Sequence, residues 1–480
     1  MKKIFSITTI IVAFSVISCR NDFSDEKSSY LLPINLAVNN SKTLDEAVVG
    51  VYSGFDGQQL NDVINFSELI TDNGFLSNAN NGQYAEIYNL TYSAGTQKIG
   101  RLWNGLNDVI AKANWVLSYE GTVKYDPKVD SSQEDFNTKE ARLFSEARVL
   151  RAYARILLAG YFCERLGSDN QQLGLVINNK YSPTEIYDTY PRSSVLETYT
   201  AIETDLIKAI NAISATTDPL VAVNDSRMNL LSANLLLSRV YLYERKWNKS
   251  IEFANAAKIL ADNNSIAETP SGSPFSTGNN GNPSSIFQYA IDSKNTLGIN
   301  SLFSYWGYNN SAQYQQFYAT QEFVSLISNG DGRKKIYPLN DSPYDTPKPY
   351  FAKKFGSSEL YNVILMRKAE IDFNIIESTF YSDPNGAKTL LTNWIKANRY
   401  AGYTFTNPDI LAEILLQRRI EFAFEGHRFM DLKRNDLGWT KGANYKGSHA
   451  NVLINEKEQC LPIPFIEMTT NPKMVQNPGY

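Results

Sequence analysis

The sequence predicts a mainly α-helical scaffold of successive helix pairs, with a loop-rich face and a few short strands. Three observations predict it. Apolar residues recur at spacings of three and four through long stretches in both halves of the chain. Small residues fall where one helix must approach its neighbour closely, as at Ser250, Ala254 and Ala257. Between Asp262 and Pro349 the composition turns to Gly, Asn, Ser, Pro and aromatic residues, the mark of a long loop region. At 480 residues the chain has the length of about three average domains, yet helical repeat arrays often form one unit of this size.

The chain starts with a processing segment. Lys2 and Lys3 form a positive region ahead of an apolar stretch, Ile4 to Ile17, that is too short for a membrane span. Val16-Ile17-Ser18-Cys19 resembles a bacterial lipobox, which implies a lipoprotein signal peptide over 1–18 and lipidation at Cys19. Several acyl chains there imply a firm membrane anchor. Residues 19–30 read as a polar tether, and acidic Asp22, Asp25 and Glu26 resemble a surface-export signal.

Leu44, Ala47, Val48, Val51 and Tyr52 make the apolar face of a first helix over Leu44 to Phe55. Asn65 to Gly100 reads as polar and irregular. Asp72, Asn73, Phe75 and Tyr84 lie in it as candidate ligand-binding residues, because loops of this length usually carry function. Arg101 to Tyr119 resumes a helix in which Trp103, Leu106, Ile110 and Leu117 repeat at three and four, so Trp103 is expected to pack. Thr138 to Gly160 is a strong helix. Arg148 and Arg151 flank its apolar face, and its arginines are expected to reach carboxylates of the carboxy-terminal helix. Ser193 to Ile213 and Asn229 to Leu260 complete the first helical block. In the latter, Ser238, Tyr241, Ser250, Ala254 and Ala257 match the small and aromatic positions of a tetratricopeptide unit, with Lys246-Trp247-Asn248 as its turn. The expected architecture is a tetratricopeptide-like right-handed helical scaffold.

In the middle region Ile286 to Ile291 is a short strand. Tyr305, Trp306, Tyr308, Asn309 and Tyr314 follow as ligand candidates, since exposed rings offer stacking platforms and Asn side chains bond hydroxyls or amides. The alternative is that these rings pack the loop against the helices. Exposed rings predict that Trp306→Ala and Tyr308→Ala weaken ligand binding at unchanged melting temperature; packed rings predict a large stability loss.

Leu365 to Tyr381 and Gly386 to Arg399 form a further helix pair leading to Asn407–Arg434. Asn407 suits an N-cap, Pro408 the first helical position and Asp409 the positive end. Arg418, Glu421, Glu425 and Arg428 are spaced three, four and three apart, which stacks them along one side of a continuous helix. The expectation is a structural charge ladder in which Arg418 and Arg428 bridge Glu421 and Glu425, extended by Asp431 and Arg434. A catalytic carboxylate pair is the weaker reading, because Arg partners hold both carboxylates ionised.

These residues carry a resemblance. Arg418, Glu421, Glu425-Gly426-His427-Arg428 and Asp431-Leu432-Lys433-Arg434 are similar to the carboxy-terminal signature of the SusD/RagB family, surface lipoproteins of Bacteroidetes that capture nutrients for outer-membrane transporters. Leu461-Pro462-Ile463-Pro464, Glu467, Asn471-Pro472 and Gln476-Asn477-Pro478-Gly479-Tyr480 resemble that family's chain end. Trp103 with Ile110 and Ala113-Asn114, Arg148 with Arg151-Ala152-Tyr153, and Arg367 with Ala369-Glu370 also resemble its patterns. Gln417 departs from the usual Glu and removes one structural salt bridge. The resemblance implies an oligosaccharide or peptide ligand, held by loops before the tryptophan helix and in the middle insertion. It also implies a SusC-like TonB-dependent transporter as partner, with this protein as its lid. The organisation it implies is a SusD-like amino-terminal helical region over 31–262 and a carboxy-terminal region over 263–480. The latter comprises a loop insertion, 263–350, then helices and tail, 351–480.

Net charge of -4 gives no electrostatic reason to expect nucleic acid. With only His427 and His449, neither a His-based triad nor a zinc cluster is expected, and no metal-ligating spacing or cofactor motif stands out. His427, at a helix end, is assigned a structural or solvent-facing role. Cys163 and Cys460 are expected as unpaired buried thiols. The function expected is thus non-enzymatic capture of a glycan or peptide at the cell surface. Its rivals are a scaffold for envelope assembly, which does not require the aromatic loop, and a glycosidase or peptidase, for which no carboxylate spacing argues.

Overall fold

The computed structural model describes residues 37–167, 172–182, 188–216, 225–268, 282–307, 317–341, 344–356 and 358–480. Cys19 with its lipobox, and Tyr308, Asn309 and Tyr314, lie outside the described residues. Asn40 opens α1 (Ser41–Tyr52) with a capping box to Thr43, and Asp56 caps α2 (Gly57–Ile70) by accepting from the Gln59 N–H. Asn65 therefore begins no loop. The polar residues of α2 mask it in the sequence because the helix is buried almost all round, and tertiary partners satisfy them. Asn65 Oδ1 accepts from Trp306 Nε1 (2.7 Å), and Ser67 Oγ accepts from the Phe429 N–H (3.1 Å).

After β1 (Gly74–Leu76) and α3 (Ala85–Tyr88), the helices α4 (Gln97–Leu117), α5 (Gln133–Phe162), α6 (Val195–Ser214), α7 (Leu230–Tyr243) and α8 (Trp247–Asn263) pack each against the next. The α7–α8 pair shows why small residues recur. Ser238 Oγ donates to the Ser250 carbonyl (2.9 Å) and Ser250 Oγ to the Ser238 carbonyl (3.0 Å), which only two short side chains at a close crossing allow. Ala254, Ala257 and Ala261 continue that buried face.

The middle region contributes β2 (Ser285–Tyr289), α9 (Leu302–Trp306), β3 (Phe317–Ala319), α10 (Gln321–Ser325) and β4 (Val363–Arg367). β2 pairs antiparallel with β4. β1 pairs antiparallel with β3, Phe75 opposite Tyr318, so the amino-terminal loop and the middle insertion form one surface. Then α11 (Lys368–Phe380) packs on α8, carrying the stack into α12 (Pro384–Asn398), α13 (Ile410–Phe422) and α14 (Arg428–Arg434). A final hairpin, β5 (Trp439–Thr440) with β6 (Asn451–Val452), precedes α15 (Phe465–Thr470). Among the described residues no helix is long and apolar enough to cross a membrane.

The segment expected as one helix over 407–434 is broken. Ala423 turns extended (ψ 135°), Phe424 adopts the left-handed region (φ 65°) and Gly426 does so again (φ 83°). A left-handed Phe is costly, and burial of its ring against Trp306 (4.9 Å), Tyr337 (5.7 Å) and Phe323 (5.8 Å) offsets that cost. The break dismantles the expected ladder, because helical spacing no longer aligns Arg418 and Arg428 with the two glutamates. Glu421 instead meets Arg367 (2.7 Å), Arg399 (2.8 Å) and Arg333 (3.3 Å). Glu425 meets Lys354 (2.6 Å) and Arg367 (2.7 Å). Arg418 pairs with Asp431 (2.9 Å), Arg434 with Asp431 (2.7 Å) and Glu377 (2.5 Å), and Arg428 with Asp72 (2.8 Å).

The arginines of α5 do not reach this centre either. Arg151 and Arg155 share Asp205 of α6, and Arg148 pairs with Glu120, because α5 packs on α4 and α6 rather than on α13. Gln417 keeps a structural role without charge: it accepts from Arg333 (2.6 Å) and donates to Glu413 (3.0 Å). His427 is buried with its ring 4.7 Å from Phe422, and that burial lowers its pKa to about 4. Cys163 and Cys460 are both free and buried, and burial pushes the Cys163 thiol up to about 12.

Candidate ligand-binding site

The loop-rich surface is built where α2, the loop around α3, the start of α4, α9 and β3 converge. Tyr84 sits at the entry to α3 with φ 56°, which turns its ring inward. The ring meets Phe317 edge-on at 5.4 Å and Tyr305 at 5.5 Å, while Tyr305 stacks on Phe317 at 4.7 Å. Tyr84 Oη donates to Asp62 (2.5 Å), and Arg101 grips the same carboxylate through Nε (2.7 Å) and Nη2 (2.8 Å). Lys98 Nζ lies 4.1 Å above the Tyr84 ring.

Above this floor opens a cavity of about 420 Å³ lined by Tyr84, Glu86, Thr96, Gln97, Lys98 and Arg101. Its walls offer the Gln97 amide, two cations and a Thr96 hydroxyl that donates to the Glu86 carboxylate (2.7 Å), while the Tyr84 ring beneath is itself buried under Lys98. That set of hydrogen-bond donors and acceptors suits a polyhydroxylated ligand. Burial raises the Asp62 carboxyl to about 6 against the opposing pull of Arg101 and Tyr84, and burial lowers the Lys98 pKa. Burial, reinforced by the Asp62 charge, drives the Tyr84 hydroxyl well above its ordinary value, so it remains a donor at neutral pH.

The other expected ligand residues fall elsewhere. Trp306 is fully buried, and its six-membered ring packs so closely on Gly74 that a Cβ there would stand 2.5 Å away. It is a core residue, not a stacking platform. Tyr305 and Phe75 are also buried, the former behind Tyr84 and the latter across β1–β3 from Tyr318 at 5.7 Å. Asp72 is committed to Arg428 and Arg419; burial raises its pKa, but these two charges outweigh that and hold it at about 2. Asn73 donates to Glu68 (2.8 Å) and accepts from Arg419 (2.8 Å). Of the described candidates Tyr84 borders this cavity, and Asp62, Gln97, Lys98 and Arg101 were missed. Arg101 and Lys98, one turn apart where α4 starts, were the available signal.

A second cavity of about 370 Å³ is lined by Trp103, Asn107, Asn114, Asn178, Tyr181 and Tyr190. Its amides are partly committed: Asn114 accepts from Arg151 (2.6 Å) and donates to the Asn178 carbonyl (3.0 Å). Trp103 packs edge-on against Phe162 at 5.0 Å, as expected of a packing residue.

A stack of helix pairs bearing a loop-built cavity with an aromatic floor defines a helical-repeat binding protein. Residues 22–242 match the family described as starch-binding and associating with the outer membrane, and residues 385–480 match the SusD family. The chain belongs to the SusD/RagB family. A SusD superfamily protein of Bacteroides vulgatus ATCC 8482 shares 23% identity and the fold, with a TM-score of 0.80 over 92% of this chain and 99% of that one. A SusD-like carbohydrate-binding protein of the same strain aligns at 19% identity and a TM-score of 0.78, over 91% and 97%. A laminarin-binding SusD-like protein aligns at 21% identity and 0.67, over 92% and 100%. No curated protein matches the chain.

Proposed function

We propose that this protein is a surface-exposed lipoprotein, anchored through Cys19, that captures oligosaccharide and delivers it to a SusC-like TonB-dependent transporter of the outer membrane. The observation that carries this reading is the match of residues 22–242 to an outer-membrane starch-binding family. Ligand capture would occur in the cavity beside Tyr84 by hydrogen bonds donated by Gln97 and Lys98 and accepted by Glu86, without covalent chemistry. Peptide remains the alternative ligand, since the same amide, hydroxyl and charged groups bond backbone amides.

The test is affinity electrophoresis of the mature protein in gels containing amylopectin, laminarin or a casein digest, alongside a Gln97→Ala/Lys98→Ala variant. Retardation by one polymer, weakened about tenfold in the variant at unchanged melting temperature, is the expected result. Equal retardation of both proteins moves the site elsewhere. Copurification of a large barrel receptor in near-equal amount from native outer membrane tests delivery; its absence sinks the transporter partnership.

A further inference from the structure

The carboxy-terminal hairpin carries a second cluster, remote in sequence from the cavity residues. His449 stands just before β6, Glu456 caps a short 3₁₀ segment, Lys457–Gln459, and Glu458 is that segment's middle residue. His449 Nε2 lies 3.1 Å from Glu456 Oε2 and 3.9 Å from Glu458 Oε2, and one ligand atom from each of the three falls within 4.8 Å of the others. Glu456 Oε2 also accepts from the Leu453 N–H (2.9 Å).

Glu458 makes this more than a surface ion pair. Its side chain is only 8% exposed, and within 4 Å the sole cationic group facing it among the described residues is His449, beyond hydrogen-bond reach. Lys457, its neighbour, turns away to lie 5.0 Å over the Tyr480 ring. A carboxylate that is mostly enclosed yet accepts no hydrogen bond keeps its lone pairs available to a cation placed at the same point. Among the described residues the Glu458 side chain is thus nine-tenths buried, accepts no hydrogen bond and faces the His449 imidazole at 3.9 Å.

We propose that His449, Glu456 and Glu458 form a binding site for a divalent transition-metal ion of the zinc class. Zinc bonds of about 2.0–2.1 Å to nitrogen and oxygen at the tetrahedral angle set ligand atoms about 3.3 Å apart. The observed 3.1 and 3.9 Å separations of His449 from the two carboxylates bracket that value, and with all three ligand atoms within 4.8 Å of one another closure draws the carboxylates together by side-chain rotation. One imidazole with two carboxylates favours Zn²⁺ or Co²⁺ over Ca²⁺, which takes six to eight oxygens. The fourth position faces solvent, since His449 and Glu456 are both partly exposed. Such an ion would staple the β5–β6 hairpin to the chain end, where Tyr480 Oη donates to the Lys457 carbonyl (3.1 Å). Chain separations of seven and nine residues hide the site from sequence reading.

The test uses the mature chain without a polyhistidine tag, stripped with chelator and titrated with ZnCl₂ by calorimetry, beside His449→Ala and Glu458→Gln. The expected result is one equivalent bound, with Kd raised at least about tenfold in each variant. A zinc-induced rise in melting temperature should be absent in His449→Ala, whose metal-free melting temperature stays near that of the parent because the ring is partly exposed. No saturable zinc binding overturns the proposal. So does binding that His449→Ala leaves unchanged, or tight uptake of CaCl₂ in place of zinc.

Discussion

The charged centre around the α13–α14 break and the aromatic floor beside Tyr84 are both rich in titratable groups, yet they are used in opposite ways. At the centre, Glu421 is enclosed by Arg367, Arg399 and Arg333 and leaves no face to solvent. Although burial raises its pKa, the arginines outweigh that and hold the carboxyl well below its ordinary range. Beside Tyr84, Asp62 is equally buried, but Arg101 and Lys98 keep part of their surface at the cavity. Charges saturated by partners hold a fold together. Charges with one side open can meet a ligand.

Removing Glu421 should give the largest effect. Glu421→Ala leaves three buried guanidiniums short of one carboxylate, so stability should fall by about 5 kcal/mol, the top of the range for breaking a buried ion pair. Urea unfolding measures it; a loss under about 1 kcal/mol would mean that the centre is solvated and the contrast false. Trp306→Ala comes next, at about 4 kcal/mol for emptying a fully buried indole site and orphaning Asn65. Were binding lost instead at unchanged melting temperature, the ring would belong to the ligand surface after all.

His427 sharpens the comparison through pH. Burial lowers its folded pKa from 6.5 to about 4, while Glu370 and Asp431 oppose the shift and Arg239 and Arg418 add to it. The unfolded state then binds more protons between these values. Its contribution is complete above about 6.5 and is lost as pH falls towards 4, by about 3 kcal/mol at 1.36 kcal/mol per unit. The unfolding free energy of the parent relative to His427→Gln should narrow by that amount from pH 7 to 4. A gap that stays constant would show that the imidazole is not held neutral by burial.

The helical scaffold was legible where a helix carries a periodic apolar face, as α1, α4 and α5 do. Apolar spacing places the bodies of α1, α4 and α5 and small residues mark the α7–α8 pair, whereas the caps Asn40 and Ser132 start α1 at Ser41 and α5 at Gln133, ahead of the expected Leu44 and Thr138. The candidate site was legible only at Tyr84. Tyr305, Trp306 and Phe75 have the composition of a stacking surface, and composition cannot tell a ring that faces solvent from one that faces another ring. Their burial came from the β1–β3 pairing, which joins segments more than two hundred residues apart.

The carboxy-terminal segment marks the same boundary most sharply. Its residues alone determined that Glu421, Glu425 and Asp431 would be ionised and buried beside arginines, because charges at positions flanked by Ile420, Phe422 and Phe429 require them. Which arginines was decided only in three dimensions. Burial of the Phe424 ring against Trp306 stops the helix, and once it stops, pairing is governed by which strands and helices arrive at the break rather than by spacing along it. Local periodicity is a property of the chain, whereas the partner of a buried charge is a property of the packing.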